Sequence, residues 1–184
     1  MKSLNRILLS LITLAGISAT ASPIPATGSS LLTDPQKGLQ LFKHRIRVDL
    51  ADSKWTLKET EAESNVVALD FIPRNPQDLT PTAQLSLRLD QLKKVSLFDE
   101  YIKRSMKEYP QFGFDVLGSQ KVNLMGQPAF VVDLSQKKKG QQLRQVIFMQ
   151  EKRVAVFTCL DETSHFKSTL AECNKLIQSF RWQN

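Results

Sequence analysis

Arg153–Trp182, RVAVFTCLDETSHFKSTLAECNKLIQSFRW, is the stretch that decides the fold. Val154, Ala155, Val156 and Phe157 are apolar on both parities, the pattern of a strand covered on both faces, and Cys159 closes the run. Phe166, Leu170, Cys173, Ile177 and Phe180 then recur at intervals of four, three, four and three, which is one stripe on a helix. Cys173 therefore faces the layer that receives the strand bearing Cys159. A buried strand, a tight turn and a helix with a matching cysteine predict a sheet whose last helix is stapled to it.

The opposite end speaks to compartment. Lys2 and Arg6 form a positive start, Ile7 to Ile17 an apolar core, and Ala19-Thr20-Ala21 a small-residue cleavage site, so residues 1–21 read as an export signal. Eleven mostly apolar residues are too few to span a bilayer, whose hydrocarbon requires about 20, and no later run is long enough. With no cysteine at the cleavage site, a lipid anchor is not expected. The mature chain is expected in the periplasm, or secreted, after cleavage near Ala21.

An oxidising compartment forms and keeps disulfides, so the two cysteines, Cys159 and Cys173, are read as one bond. A redox-active pair usually sits two residues apart on one helical turn, a spacing these cysteines lack. The formal charge of +7 falls by two when the segment with Lys2 and Arg6 is removed. That moderate excess suits an anionic partner or plain solubility. The basic residues are not interleaved with exposed aromatics as a stacking platform requires, and nucleic acid is not an expected partner.

Residues 22–37, with Pro23, Pro25 and Pro35 and no apolar period, read as a flexible leader; residues 38–184 read as one domain. Leu39 to Val48 reads as a first strand and Trp55 to Glu61 as a second. Val66 to Ile72 and the alternating Leu85, Leu87 and Leu89 give two more, separated by a loop stiffened by Pro73, Pro76 and Pro81. Ser96 opens a helix with Asp99 as the second half of a capping box. Phe98, Tyr101, Ile102, Met106 and Tyr109 are its apolar stripe, and Pro110 limits it. Asp99 with Lys103 and Glu100 with Arg104 are acid-first pairs one turn apart on its outer face.

From Phe114 the chain reads as an antiparallel meander turning at Met125-Gly126, at Lys137 to Gly140 and at Glu151 to Arg153. Its four strands should be neighbours in order. Phe130-Val131-Val132 and Val146-Ile147-Phe148-Met149 are apolar on both parities, which implies cover on both faces, and the two amphipathic helices are the available cover. The fold class expected is α+β: a three-layer α/β/α sandwich around a predominantly antiparallel sheet.

Three stretches carry a resemblance. They are Ser96-Leu97-Phe98-Asp99-Glu100-Tyr101, then Gly126-Gln127-Pro128-Ala129-Phe130-Val131-Val132-Asp133, then Val154 to Thr158 with Phe166 and Ser179-Phe180. In this order the chain resembles the PsbP-type family over Gly38 to Trp182, a group that includes bacterial exported proteins similar to DcrB. The resemblance implies a PsbP-like sandwich and a binding or assembly module, because known relatives mostly dock to larger complexes or hold hydrophobic ligands. It implies no activity, and no metal-binding or GTPase-binding position of the family is matched here.

The search for chemistry points the same way. His44 and His165 are too far apart in sequence to form a zinc motif, and the seven glycines never cluster into a phosphate loop. Asp161, His165 and Ser168 could share a face near the start of the last helix, but a hydroxyl on a regular helix lacks an oxyanion site and a strained elbow. No catalytic, cofactor-binding or metal residue is assigned, and no cofactor is expected. The contact candidates are Lys137, Lys138 and Lys139 at a hairpin tip, for an anionic partner, and Tyr101, Met106, Tyr109 and Phe112, for a cleft between helix and sheet. The expected function is a non-enzymatic, monomeric, exported module that binds an envelope protein through its surface. The alternative is a carrier of a small hydrophobic or lipid-like ligand.

Overall fold

The computed structural model describes residues 31–34, 38–41, 45–58, 67–93 and 98–183. The expected export signal, the capping serine Ser96 and most of the leader lie outside them. Seven strands form the main sheet in the order β4-β5-β6-β10-β9-β8-β7. They are β4 (Trp55–Leu57), β5 (Val67–Pro73), β6 (Gln84–Gln91), β7 (Asp115–Leu124), β8 (Gln127–Gln136), β9 (Gln141–Gln150) and β10 (Arg153–Glu162). Every neighbouring pair is antiparallel.

The meander β7 to β10 follows the expected order, and its turns follow from local chemistry. Met125 and Gly126, both at positive φ (53° and 81°), make the two-residue link between β7 and β8. That is the handedness a tight hairpin needs to match the twist of its strands. Helix α1 (Phe98–Glu108) carries the chain from β6 over to β7 at the far edge, and β10 returns to fill the slot between β6 and β9.

As the central strand, β10 is lined on both faces. Val154, Val156 and Leu160 join Tyr101 and Ile102 of α1 and Val132, Leu134 and Ile147 of the sheet in one core. Ala155, Phe157 and Cys159 join Cys173, Leu176 and Ile177 of the second helix, α2 (Phe166–Ser179), in the other. The two-sided apolar runs thus have the cause inferred for them: one helix covers each face. Phe180, just past α2, anchors the second core, with ring centroids 4.8 Å from Phe148 and 5.4 Å from Phe157.

Two expected strands are corrected. Leu39 to Val48 is a hairpin and not one strand: β2 (Gly38–Leu41) pairs with β3 (Ile46–Val48). Arg45 at φ 50° takes a left-handed conformation that no continuous strand allows. Leu31–Asp34 forms a strand, β1, antiparallel to β2. These three join β11 (Arg181–Trp182) in a small second sheet, β1-β2-β3-β11. The second expected strand, Trp55 to Glu61, is β4 over Trp55–Leu57, with residues beyond Lys58 outside those described.

Cys159 and Cys173 are bonded, with Cα atoms 6.1 Å apart, and both are fully buried. A closed loop of this length is worth about 3 kcal/mol in the chain-entropy account. Replacing both cysteines by alanine should therefore lower the free energy of unfolding by about 3 kcal/mol. The check is a urea titration, and an unshifted midpoint would show that α2 is held by packing alone.

Candidate functional site

The sequence-predicted contact residues fall in two separate places, the lysines at the tip of the β8–β9 hairpin and the aromatic set along α1 and the turn after it. Lys137–Lys139 make one turn of 3-10 helix between β8 and β9, closed by Gly140 in the left-handed region at φ 63°. All three side chains are exposed. Lys137 Nζ lies 3.3 Å from Asp115 Oδ2 at the start of β7, so the turn is tied to the neighbouring edge strand.

Tyr101, Met106, Tyr109 and Phe112 lie along α1 and the 3-10 turn Tyr109–Phe112 that follows it. Tyr101 and Tyr109 are buried in the α1-side core, while Met106 and Phe112 are partly buried against it. The two tyrosines hold polar networks that the sequence did not announce. Tyr101 Oη donates to Asp90 Oδ2 at 3.2 Å and accepts from Arg88 at 3.3 Å, and Arg88 Nε reaches the same Asp90 oxygen. Tyr109 Oη donates to Gln145 Oε1 at 2.8 Å, and Gln145 Nε2 donates in turn to Thr158 Oγ1. Alternation on β6 and β10 carries the signal in retrospect, because Arg88, Asp90 and Thr158 share the parity that faces α1.

The expected i, i+4 pairing on α1 is modified. Asp99 pairs most closely with Lys121 of β7, at 2.6 Å, and that hydrogen bond holds its carboxyl below the usual range. Arg104 lies 5.4 Å over the Tyr101 ring. Asp99 thus turns to a strand lysine, while Arg104 turns to a ring within its own helix.

The Asp161, His165 and Ser168 grouping is not assembled as a reactive set. Ser168 Oγ donates to the His165 carbonyl, and His165 is exposed ahead of α2. Asp161 is fully buried in β10, while His165 and Ser168 are exposed. Its carboxylate accepts from Thr80 (2.7 Å), Thr82 (2.6 Å), Thr169 (2.5 Å) and the Glu162 N–H (2.7 Å). Four donors explain how a charge survives there. Burial alone would raise the Asp161 pKa, but the hydroxyl bonds, Thr169 first, hold it below 3.8. A polar cleft of about 370 Å³, lined by Lys54, Asp78, Thr80, Ser168, Thr169 and Glu172, opens beside this cluster. Among the described residues, no three His, Cys, Asp or Glu side chains converge as metal ligands would.

Sequence reasoning also missed Val116 and Leu117. The β7–β8 register jumps from Val116↔Leu134 to Gly118↔Asp133, leaving Leu117 as the extra residue of a bulge. Leu117 is 55 % exposed and Val116 39 %. The available signal was Gly118 inside a strand, which often marks a bulge.

With this geometry in view, comparison with known proteins bears on the fold. No family model matches the sequence, and no curated protein matches it. Solved structures do match. PA94 of Pseudomonas aeruginosa is 16 % identical with a TM-score of 0.51, covering 69 % of this chain and 96 % of that one. Cyanobacterial PsbP (CyanoP) of Synechocystis sp. PCC 6803 is 10 % identical with a TM-score of 0.55, covering 88 % and 98 %. The chain has a PsbP-type fold, as its hairpin and terminal helix motifs imply.

Two pH experiments follow. Asp161 has a depressed folded-state pKa, so it stabilises the fold above its unfolded value of 3.8, and that contribution is lost as pH falls through the folded value. Asp161→Asn should cost about 1–3 kcal/mol near neutrality. It should also flatten the stability profile below pH 3.8, read by urea unfolding across acid pH. A variant with the wild-type acid slope would show that other carboxylates dominate.

The two tyrosines of the chain are both buried, and burial raises both above their ordinary 10.0, with Arg88 opposing the rise. Their contribution is full below pH 10.0 and is lost as pH rises toward their folded values. Tyrosinate absorbance should therefore stay flat through pH 10.0 until the chain unfolds. A normal titration step there would show that at least one phenol is open to water.

Proposed function

We propose that this chain is an exported, non-enzymatic binding or assembly module of the bacterial cell envelope, acting through contacts at its protein surface. The observation that carries the reading is where its polar side chains are spent. Asp161, Arg88, Asp90, Tyr101 and Tyr109 hold loops and helices to the sheet, whereas the lysine turn projects from it. The buried disulfide and the export pattern of residues 1–21 support an oxidising compartment. Among the described residues no helix is long and apolar enough to cross a membrane. The PsbP-type fold is compatible with a docking module but carries no partner with it.

The alternative is a carrier of a hydrophobic molecule between α1 and the sheet. Its support is specific: Met106 and Phe112 are only partly buried, so the outer seam of α1 has accessible apolar surface.

A photoreactive residue at Lys138, introduced in intact cells, should capture one dominant neighbour. Absence of any specific product from Lys138 and from other exposed positions of the hairpin would overturn the surface-contact reading. Native mass spectrometry of the same purified protein should give a chain beginning at Ser22 and lighter by two hydrogens. A bound hydrophobic molecule in that spectrum would put the carrier first.

A further inference from the structure

We infer that the corner where the β7 bulge meets the lysine turn docks on an anionic phospholipid surface, an inference that rests on the surface-contact reading above and names its partner. Among the described residues, the exposed large hydrophobics are Ile72, Val116, Leu117 and Met125, and only Val116 and Leu117 are adjacent. They stand in an edge strand, two residues or fewer from Asp115, whose carboxylate holds Lys137. One strand spacing is about 3.3 Å, so the apolar pair and the base of the lysine turn lie within about 7 Å along β7. Gly113, at the end of the turn carrying Phe112, meets the same hairpin: a Cβ there would lie 3.7 Å from Gln136 Nε2.

Two of the three lysines at this corner are left for a partner. Lys138 and Lys139 make no ion pair with a described residue, Lys137 is neutralised by Asp115, and Glu162 stands across from Gln141 beside the turn. Lysine heads on flexible stems suit an array of phosphates spread over a plane, where no fixed geometry is demanded. A two-residue apolar wedge suits the boundary between headgroups and acyl chains, which accepts side chains without shape complementarity. A stable protein interface buries about 1,200–2,000 Å² in total, far beyond what two side chains and three lysines offer. Charge and wedge together make a weak, reversible surface contact, neither sufficient alone.

The test is co-sedimentation of the mature chain with equimolar phosphatidylglycerol–phosphatidylcholine vesicles and with pure phosphatidylcholine vesicles. Wild type should bind the anionic vesicles selectively and lose binding as salt rises. Lys138→Gln and Lys139→Gln should each weaken it about fivefold. Leu117→Ser should weaken binding to anionic vesicles while leaving its salt dependence unchanged. All three positions are exposed, and an unchanged urea midpoint confirms that each variant folds. Equal binding to both vesicles, no binding to either, or variants indistinguishable from wild type would overturn the inference. Binding to poly-glutamate without binding to anionic vesicles would overturn it in favour of an acidic polypeptide. If vesicles fail while the Lys138 crosslink still captures a protein, only the lipid inference falls; if both fail, the surface-contact reading falls with it.

Discussion

Helix α2 is joined to the central strand at two points, and the rest of the structure depends on that double attachment. Cys159 bonds to Cys173, and Asp161 accepts from Thr169. Two residues along a strand span about 6.7 Å, and four along a helix about 6 Å, so the two spacings are commensurate. The pairs run in opposite directions, 159 to 173 and 161 to 169, as they must after the short turn that separates strand from helix. With one attachment, the angle of α2 would rest on the packing of Phe166, Leu176 and Ile177. Two set its axis against the sheet and deliver Phe180 to the ring cluster with Phe148 and Phe157. The same Asp161 carboxylate draws in Thr80 and Thr82, so the loop between β5 and β6 is fixed by the anchor that fixes the helix.

The opposite face is organised differently. No covalent bond holds α1; its tyrosines plant hydroxyls in polar networks rooted on β6, β9 and β10, and Asp99 reaches Lys121 on β7. Packing supplies most of the energy there, while the hydrogen bonds select one seating of the helix over its neighbours. The two faces thus place strong, specific chemistry in the interior. What reaches solvent at the β7–β8 side is a hairpin tip and a bulge whose charges and apolar groups have little to do with holding the fold.

Much of this was legible in the sequence because periodicity reports burial directly. The apolar runs at Val154–Phe157 and Val146–Met149 implied two-sided cover, and the stripe from Phe166 to Phe180 placed Cys173 opposite Cys159. The hairpin at Leu39–Val48 was not legible, since its break rests on a left-handed Arg45 that no residue preference signals. Long-range polar partners were equally hidden. Asp161 could be read as sharing a face with His165 and Ser168 because the threonines that bury it, Thr80 and Thr82, arrive from about 80 residues upstream. The lysine turn was visible as a charge run; the exposure of Leu117 beside it arises from register, which depends on how two strands pair and not on either alone.

The position of β10 in the sheet has a kinetic side. It is the last of the large sheet's strands in the chain, yet it stands between β6 and β9. Until it arrives, β4–β6 and β7–β9 are separate half-sheets, each ending in a bare edge that can pair with another chain. The pairing of β10 with β6 joins residues more than 60 apart in sequence, and such long-range pairing slows formation of the sheet and prolongs the life of those edges. A chain so arranged keeps two open, aggregation-prone edges until β10 is present, and the large sheet then closes around that strand.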